Sequence, residues 1–310
     1  MGLAYLFARA ADTIADTNLI SREQRLSYLN QFRAQFTAGA VARHEVQAIQ
    51  AALVPHQADS AERVLLQRLE DCLSLYDGFE SADQDRIRWL MGVLPDGMAM
   101  DLAYFRGESA QELTAFQALA ELDQYTYYVA GCVGEFWTRM VCAHCPSMAR
   151  WDVTQMSAIG VRFGKGLQLT NIVKDIARDL HHGRCYVPEP LLREVGLTPA
   201  DLLEPDSLPR FRPVLMRLIK MAMEHLDQGW IYTMAIPRLE IRQRLACMWP
   251  ILLAGETLKR VASAPDLLDP AVNVKVPRSV VYRVMALTTG TGACGYVGTA
   301  YWGRLRKQVV

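Results

Sequence analysis

Two pairs of aspartates stand where a helix would place them on one face. In "AYLFARAADTIADT", Asp12 and Asp16 are four residues apart, and Arg9 and Tyr5 continue that face backwards. In "GKGLQLTNIVKDIARDL", Gln168, Asn171, Asp175 and Asp179 form a second polar stripe on a segment otherwise rich in Leu, Ile and Val. Like charges at this spacing repel, and carboxylates turned toward a core are costlier still unless a cation compensates them. A lone D-x-x-x-D is usually a solvated helix face. Two such pairs, each on an apolar helix beside Arg or an amide, fit another chemistry. Mg²⁺ commonly takes one or two carboxylates, several waters and a substrate phosphate. Facing pairs on separate helices have the geometry to hold a diphosphate through Mg²⁺.

Cations surround the second pair. Lys174 precedes Asp175, Arg178 sits between the acids, and "HHGR" ends at Arg184. They suit the neutralisation of a departing pyrophosphate, and they equally suit ordinary pairing with neighbouring Asp. A third segment, "ELDQYTYYVAGCVGEFW", places Tyr125, Tyr127 and Tyr128 ahead of the small residues Ala130, Gly131 and Gly134. Small residues let another helix or a ligand approach closely, and aromatic faces stabilise a cation without attacking it. Plain core packing accounts for at least one of the three tyrosines. The chain has no H-E-x-x-H, no nucleophile triad, no Gly-rich phosphate loop after a strand and no dinucleotide fingerprint.

Almost every segment that must position these residues has a helical period. Apolar residues recur at i, i+3, i+4 over 22–36, 61–76, 84–104, 110–143, 154–180, 208–234 and 238–262. Breakers mark the joints: Pro55, Pro95 with Gly97, Pro146, Gly183, Pro188 with Pro190, the group Pro205, Pro209 and Pro213, and Pro270. The expectation is one all-α domain over residues 1–310, built from about ten helices.

With 51% of its 310 residues hydrophobic, the chain is not disordered. Its 33 basic and 33 acidic side chains cancel, which argues against a general nucleic-acid binder. Seven scattered Cys make no disulfide framework. The lone C-x-x-C at Cys142 and Cys145 is a weak metal signal that reads better as a helix end, and the compartment is expected to be reducing. Arg9 and Asp12 interrupt the opening apolar run too early for a signal peptide. The uncharged run Val284–Gly303 carries five Gly and four Thr, a poor composition for hydrocarbon. A cytoplasmic protein, peripheral to a membrane if it meets one, is the expectation.

The stretches "YLFARAADTIAD", "PDGMAMDL", "LDQYTYYVAGCVG" and "GLQLTNIVKDIARDLHHGRCYVP" together resemble the squalene/phytoene synthase family, the head-to-head prenyl diphosphate synthases. The resemblance implies an all-α isoprenoid-synthase bundle around a central cavity. It further implies condensation of two prenyl diphosphates through a cyclopropylcarbinyl diphosphate. On it, Asp12 with Asp16 and Asp175 with Asp179 match the two metal-binding aspartate motifs, and Tyr5 and Arg9 match the positions before the first. Gln168, Asn171, Lys174 and Arg184 match diphosphate-side positions, and Tyr125 matches the tyrosine of the first half-reaction. Lys174 stands where Arg is usual, which keeps the charge and loses the bidentate fork.

The chain departs from the family pattern in two ways. Ala15 and Arg178 replace the Glu of D-x-x-E-D in both motifs, which weakens metal binding. Only eleven residues precede Asp12, so either the start is truncated or the cavity is open at one side. Near the other end, "NVKVPRSVVYRVM" resembles the squalene-synthase segment that contributes basic residues to an NADPH site, with Lys275 and Arg278 as its candidates. A basic turn before the last helix at Ser279 explains the segment equally well. The expected cofactors are Mg²⁺ and, for squalene as product, NADPH. The expected partners are prenyl diphosphates, with a membrane surface for product release. Phytoene or dehydrosqualene formation without reduction, or a silent assembly or prenyl-binding factor, are the alternatives.

Overall fold

Apolar periodicity becomes helix along nearly the whole chain in the computed structural model, which describes residues 1–37, 43–289 and 295–309. In chain order the helices are α1 (Gly2–Asp16), α2 (Arg22–Ala34), α3 (Arg43–Leu53), α4 (Ser60–Gln67), α5 (Leu69–Asp77) and α6 (Ser81–Tyr104). Then come α7 (Leu119–Thr126), a π-helical turn (Tyr127–Gly131), α8 (Cys132–His144), α9 (Val153–Lys174), α10 (Ile176–His181) and α11 (Glu189–Arg193). The chain continues with α12 (Leu208–Ala235), α13 (Ile241–Ser263), α14 (Arg278–Thr289) and α15 (Tyr296–Val309). Two-residue strands, β1 (Thr114–Ala115) and β2 (Arg184–Cys185), pair in parallel with Thr114 opposite Arg184. The all-α expectation is met.

The first helix shows how sequence selects its exposed face. Ala4, Phe7, Ala10, Ala11 and Ile14 are buried, and Phe7 meets Phe36 edge-on at 4.8 Å between ring centroids. That stripe packs with α2, α5 and α6 into one apolar cluster, leaving Tyr5, Arg9, Asp12 and Asp16 on the opposite side. Helix α9 lies against α8, α12 and α13 and buries Leu169, Ile172 and Val173. Backbone touches backbone where α8 crosses α9. A Cβ added at Gly134 would fall 1.9 Å from the Gly160 carbonyl oxygen, and one at Gly164 2.2 Å from that of Ala130. The small residues near Tyr125 therefore serve a helix crossing.

Several expected boundaries move. The helical span 110–143 instead opens with a 3₁₀ turn at Ala110–Glu112 and strand β1, and its helix begins at Leu119. Residues 113–116 buy more by pairing across to β2, where the Thr114 amide donates to the Gly183 carbonyl at 3.0 Å and the Phe116 amide to Cys185 at 3.2 Å. Gly183 makes this turn at φ +78°. The span 61–76 is broken at Arg68 into α4 and α5. Pro95 and Gly97 do not end a helix, since α6 runs through both. Gly97 is there for proximity: a Cβ would meet Val129 Cγ1 at 2.6 Å. Pro213 likewise lies inside α12. The helix after the basic turn, α14, is followed by α15 and is not the last. Cys294 and the centre of the run Val284–Gly303 fall outside the described residues. Cys142 and Cys145 do close a helix, at the end of α8.

Candidate active site

Helix α1 brings Asp12 and Asp16, and the α9–α10 junction brings Gln168, Asn171, Lys174, Asp175, Arg178 and Asp179, to one chamber of about 390 Å³. Strand β2 contributes Arg184, α7 contributes Tyr125, and α6 contributes Met98, Asp101 and Leu102. The second motif keeps its stripe although the helix pauses at Asp175 (φ −97°, ψ 10°). The Asp175 amide still donates to the Asn171 carbonyl at 2.9 Å, and the Asp179 amide to that of Asp175 at 3.0 Å.

The floor of the chamber is a buried polar network. Arg184 Nη1 lies 2.9 Å from Asp101 Oδ2 and 3.8 Å from Asp16 Oδ1. The Tyr186 hydroxyl donates to Asp101 Oδ1 at 2.5 Å. The Tyr125 hydroxyl stands 3.4 Å from that of Tyr186, and the two rings stack at 4.9 Å with 20° between planes. Burial works against the Arg184 charge, yet Asp101, Tyr186 and Asp16 together raise its pKa. Burial also raises Asp101, against the pull of Arg184 and Tyr186. Tyr125 and Tyr186 are pushed well above the usual phenol range, first by burial and then by neighbouring Asp101 or each other. Both hydroxyls therefore stay protonated at neutral pH.

The acid pairs carry more negative charge than their cations balance. Burial and then Asp16 push the Asp12 carboxyl up to about 6, against the pull of Arg9. Burial pushes Asp179 up to about 7, with Arg178 opposing and Asp175 adding. Lys174 Nζ is 3.1 Å from Asp175 Oδ2, and Arg178 Nη2 is 3.9 Å from that same oxygen. Arg178 is thus nearer Asp175 than its neighbour Asp179, and its side chain is 68% exposed. Arg9 is held between Asp12 and Glu62.

Among the described residues, no three His, Cys, Asp or Glu side chains converge closely enough to hold a metal by themselves. An all-oxygen donor set with undercompensated charge does suit Mg²⁺ shared with a diphosphate. On that chemistry the four aspartates fit the ion.

A second chamber, about 820 Å³ and mostly apolar, adjoins the first through shared Asp12, Met98, Val129 and Asn171. Tyr5 and Arg9 line this chamber, along with Leu90, Leu94 and Phe136. A third space of about 250 Å³ between α8, α9, α12 and α13 shares Val129, Val133 and Trp137 with it. Lys275 and Arg278 are exposed and line none of the three. Sequence reasoning missed Asp101 and Tyr186. A carboxylate inside the apolar run "MAMDLAYF" was the available signal for Asp101. Nothing in "GRCYVP" marks Tyr186.

Residues 1–280 match the family model described as squalene/phytoene synthase. Among curated proteins, the chloroplastic phytoene synthase of Narcissus pseudonarcissus is 31% identical over 170 residues, covering 52% of this chain and 38% of that one. The squalene synthase of Saccharomyces cerevisiae is 24% identical over 273 residues, covering 88% of this chain and 57% of that one. The chain spans less than two thirds of the length of these relatives. Among solved structures, the complex of TcSQS with the ligand BPH1237 superposes with a TM-score of 0.73 at 20% identity, covering 99% of this chain and 87% of that one. Squalene synthase HpnC from Alicyclobacillus acidocaldarius gives 0.53 at 17% identity, covering 84% and 82%. At those identities the superpositions establish the fold.

Proposed function

The chain belongs to the squalene/phytoene synthase family, and on that premise we propose that it joins two prenyl diphosphates head to head in the adjoining chambers. The observation that carries this reading is the continuity of an acid-and-cation chamber with a larger apolar one across Asp12, Met98, Val129 and Asn171. A prenyl diphosphate has the same division, a polyanion on an apolar chain.

Asp12, Asp16, Asp175 and Asp179 would hold Mg²⁺ against the diphosphate. When bound, the ion withdraws charge from the diphosphate oxygens and makes pyrophosphate a better leaving group. Arg184 and Lys174 orient the diphosphate and balance the charge that develops as the C1–O bond of one substrate breaks. The resulting allylic cation is captured by the double bond of the second substrate, and loss of a proton closes the cyclopropane. Tyr125 presents a neutral hydroxyl and a ring face whose orientation is fixed by the stacked Tyr186. The apolar chamber excludes water, which would otherwise quench the cation.

For the second half-reaction, rearrangement and hydride transfer from NADPH would give squalene, with farnesyl diphosphate as substrate. The C-terminal basic segment motivates that ending. Lys275 and Arg278 are exposed and line none of the three chambers, so the other ending, in which proton loss gives phytoene or dehydrosqualene, stands beside it. Incubation of the protein with farnesyl or geranylgeranyl diphosphate and Mg²⁺, with and without NADPH, separates the endings by product mass. Squalene appearing only with NADPH selects reduction, and a polyene two hydrogens poorer, formed without it, selects proton loss. Absence of any coupled product from either substrate would sink the enzymatic reading and leave a prenyl-binding role.

A further inference from the structure

Arg244, on α13, is 3% exposed. Among the described residues its guanidinium meets only the Ile236 carbonyl (Nη1, 2.9 Å) and Met234 Sδ (Nη2, 3.3 Å), and its buried Nε has no partner there. No carboxylate among the described residues forms an ion pair with it. Glu240, the acid nearest in sequence, instead accepts from Ser147 Oγ at 2.6 Å. Burying an ionised side chain without a counter-charge is costly. The carbonyls at the end of α12 supply only partial negative charge, which makes helix capping an incomplete account of this arginine.

A recess of about 400 Å³ opens in front of it, lined also by Arg238, Pro237, Gly295, Tyr296 and Thr299. It shares no lining residue with the three chambers of the active site. Arg238 is exposed at its mouth. Gly295 lets the chain pass close by, since a Cβ there would fall 2.8 Å from Arg244 Nη2. Helix α15 starts in the same lining, so the positive end of its dipole adds to the field of two arginines.

The geometry points to a second oxyanion site, of the phosphate class, with Arg244 as its buried anchor and Arg238 at its mouth. The forked donors of the Arg244 guanidinium match a tetrahedral anion better than a single carboxylate oxygen. Two sources share that chemistry: a soluble phosphate, and the phosphate headgroup of a lipid. Leu239, 91% exposed, and Tyr296, 79% exposed, stand beside the mouth.

Calorimetric titration of the full chain with inorganic phosphate, without Mg²⁺, tests the site in the parent, in Arg238→Gln and in Lys174→Gln. Arg238 is exposed, so its replacement leaves the fold intact where that of Arg244 would uncap α12. A parallel arm measures co-sedimentation with phosphatidylcholine vesicles, with and without phosphatidylglycerol. Phosphate binding kept in Lys174→Gln and weakened at least about tenfold in Arg238→Gln supports the site with a soluble ligand. Pickup by the anionic vesicles alone, lost in Arg238→Gln and reduced in Leu239→Ser, supports it with a lipid headgroup. The absence of both phosphate binding and anionic-vesicle pickup overturns the proposal. So does binding that Arg238→Gln leaves unchanged, or that Lys174→Gln abolishes, since the anion then sits in the polar chamber.

Discussion

The two aspartate pairs share a spacing and differ in everything around it. Asp12 and Asp16 lie on a helix packed through side chains, and their cations are shared: Arg9 is divided between Asp12 and Glu62, and Arg184, 3.8 Å from Asp16, pairs first with Asp101. Their side chains are 40% and 61% exposed. Asp175 and Asp179 lie where one helix yields to another, with Lys174, Arg178 and Arg184 close by, and the Asp175 side chain is 24% exposed. The first pair is the more exposed and shares its cations with other acids, while the second is more enclosed and has Lys174 and Arg178 on Asp175. On the proposed function, one motif would therefore do two jobs: the first pair would depend more on an added cation, and the second arrives partly neutralised.

The largest effect expected from breaking this comparison is on turnover. Asp12→Asn and Asp175→Asn should each lower the coupling rate by about three orders of magnitude, since each removes a carboxylate from a shared ion. Both should unfold within about 1 kcal/mol of the parent, because a like-charge repulsion goes with them. A large drop in melting temperature would mean that the acids serve the fold instead.

Next in size is the contrast between the arginines. Arg184→Gln leaves the Asp101 side chain, 9% exposed, without its counter-charge, and should cost about 3 kcal/mol in urea unfolding. Arg9→Gln disturbs a pair whose cation is 44% exposed and should cost less than about 1 kcal/mol. Equal costs would remove the distinction between an enclosed and an open side.

Smaller again is a pH effect. Both Asp12 and Asp179 are raised on folding, to about 6 and about 7. Between the ordinary carboxylate range and those values the folded chain holds protons that the unfolded chain has released. Stability must therefore fall as pH rises through this window, with the full penalty present above pH ~7. Without Mg²⁺, Asp179→Asn should flatten the slope of urea midpoint between pH 5 and 8 more than Asp12→Asn does. Parallel slopes in all three proteins would show that neither carboxyl is raised.

The smallest concerns Arg178. It restores the common family pattern as Arg178→Glu, adding an acid beside Asp179 and removing a cation. The apparent Mg²⁺ affinity should rise a few-fold, with no gain in maximal rate, because charge balance at the leaving group is lost. Superimposable Mg²⁺ titrations of initial rate would show that the exposed guanidinium serves neither function.

Much of this arrangement was legible before any coordinates. Apolar periodicity encodes helices directly, and a carboxylate pair four residues apart on such a helix announces its shared face. The stripe Gln168, Asn171, Asp175 and Asp179 consequently reaches the chamber as its spacing implied. What stayed hidden depends on contacts between distant segments. Asp101 acquires meaning only when Tyr186 and Arg184 arrive from more than 80 residues away. Strand β1 was read as helix because its partner is equally remote, and two residues are too few to display an alternating period. Pro95 looked like a joint because local propensity opposes it, yet packing of α6 against its neighbours overrides that preference.

The glycine crossing of α8 and α9 has a mechanical consequence. With carbonyl pressed on α-carbon at Gly134, Gly160 and Gly164, these two rods can neither slide nor roll without collision. They form the anvil of the molecule, and Asp175 caps one of its rods, with Asp179 one turn beyond on α10. Helix α1 rests instead on α2, α4, α5 and α6, through side chains that can shift in their rotamers. Any tightening of the polar chamber around a bound polyanion must then come from the α1 side, as the travel of a jaw toward a fixed plate.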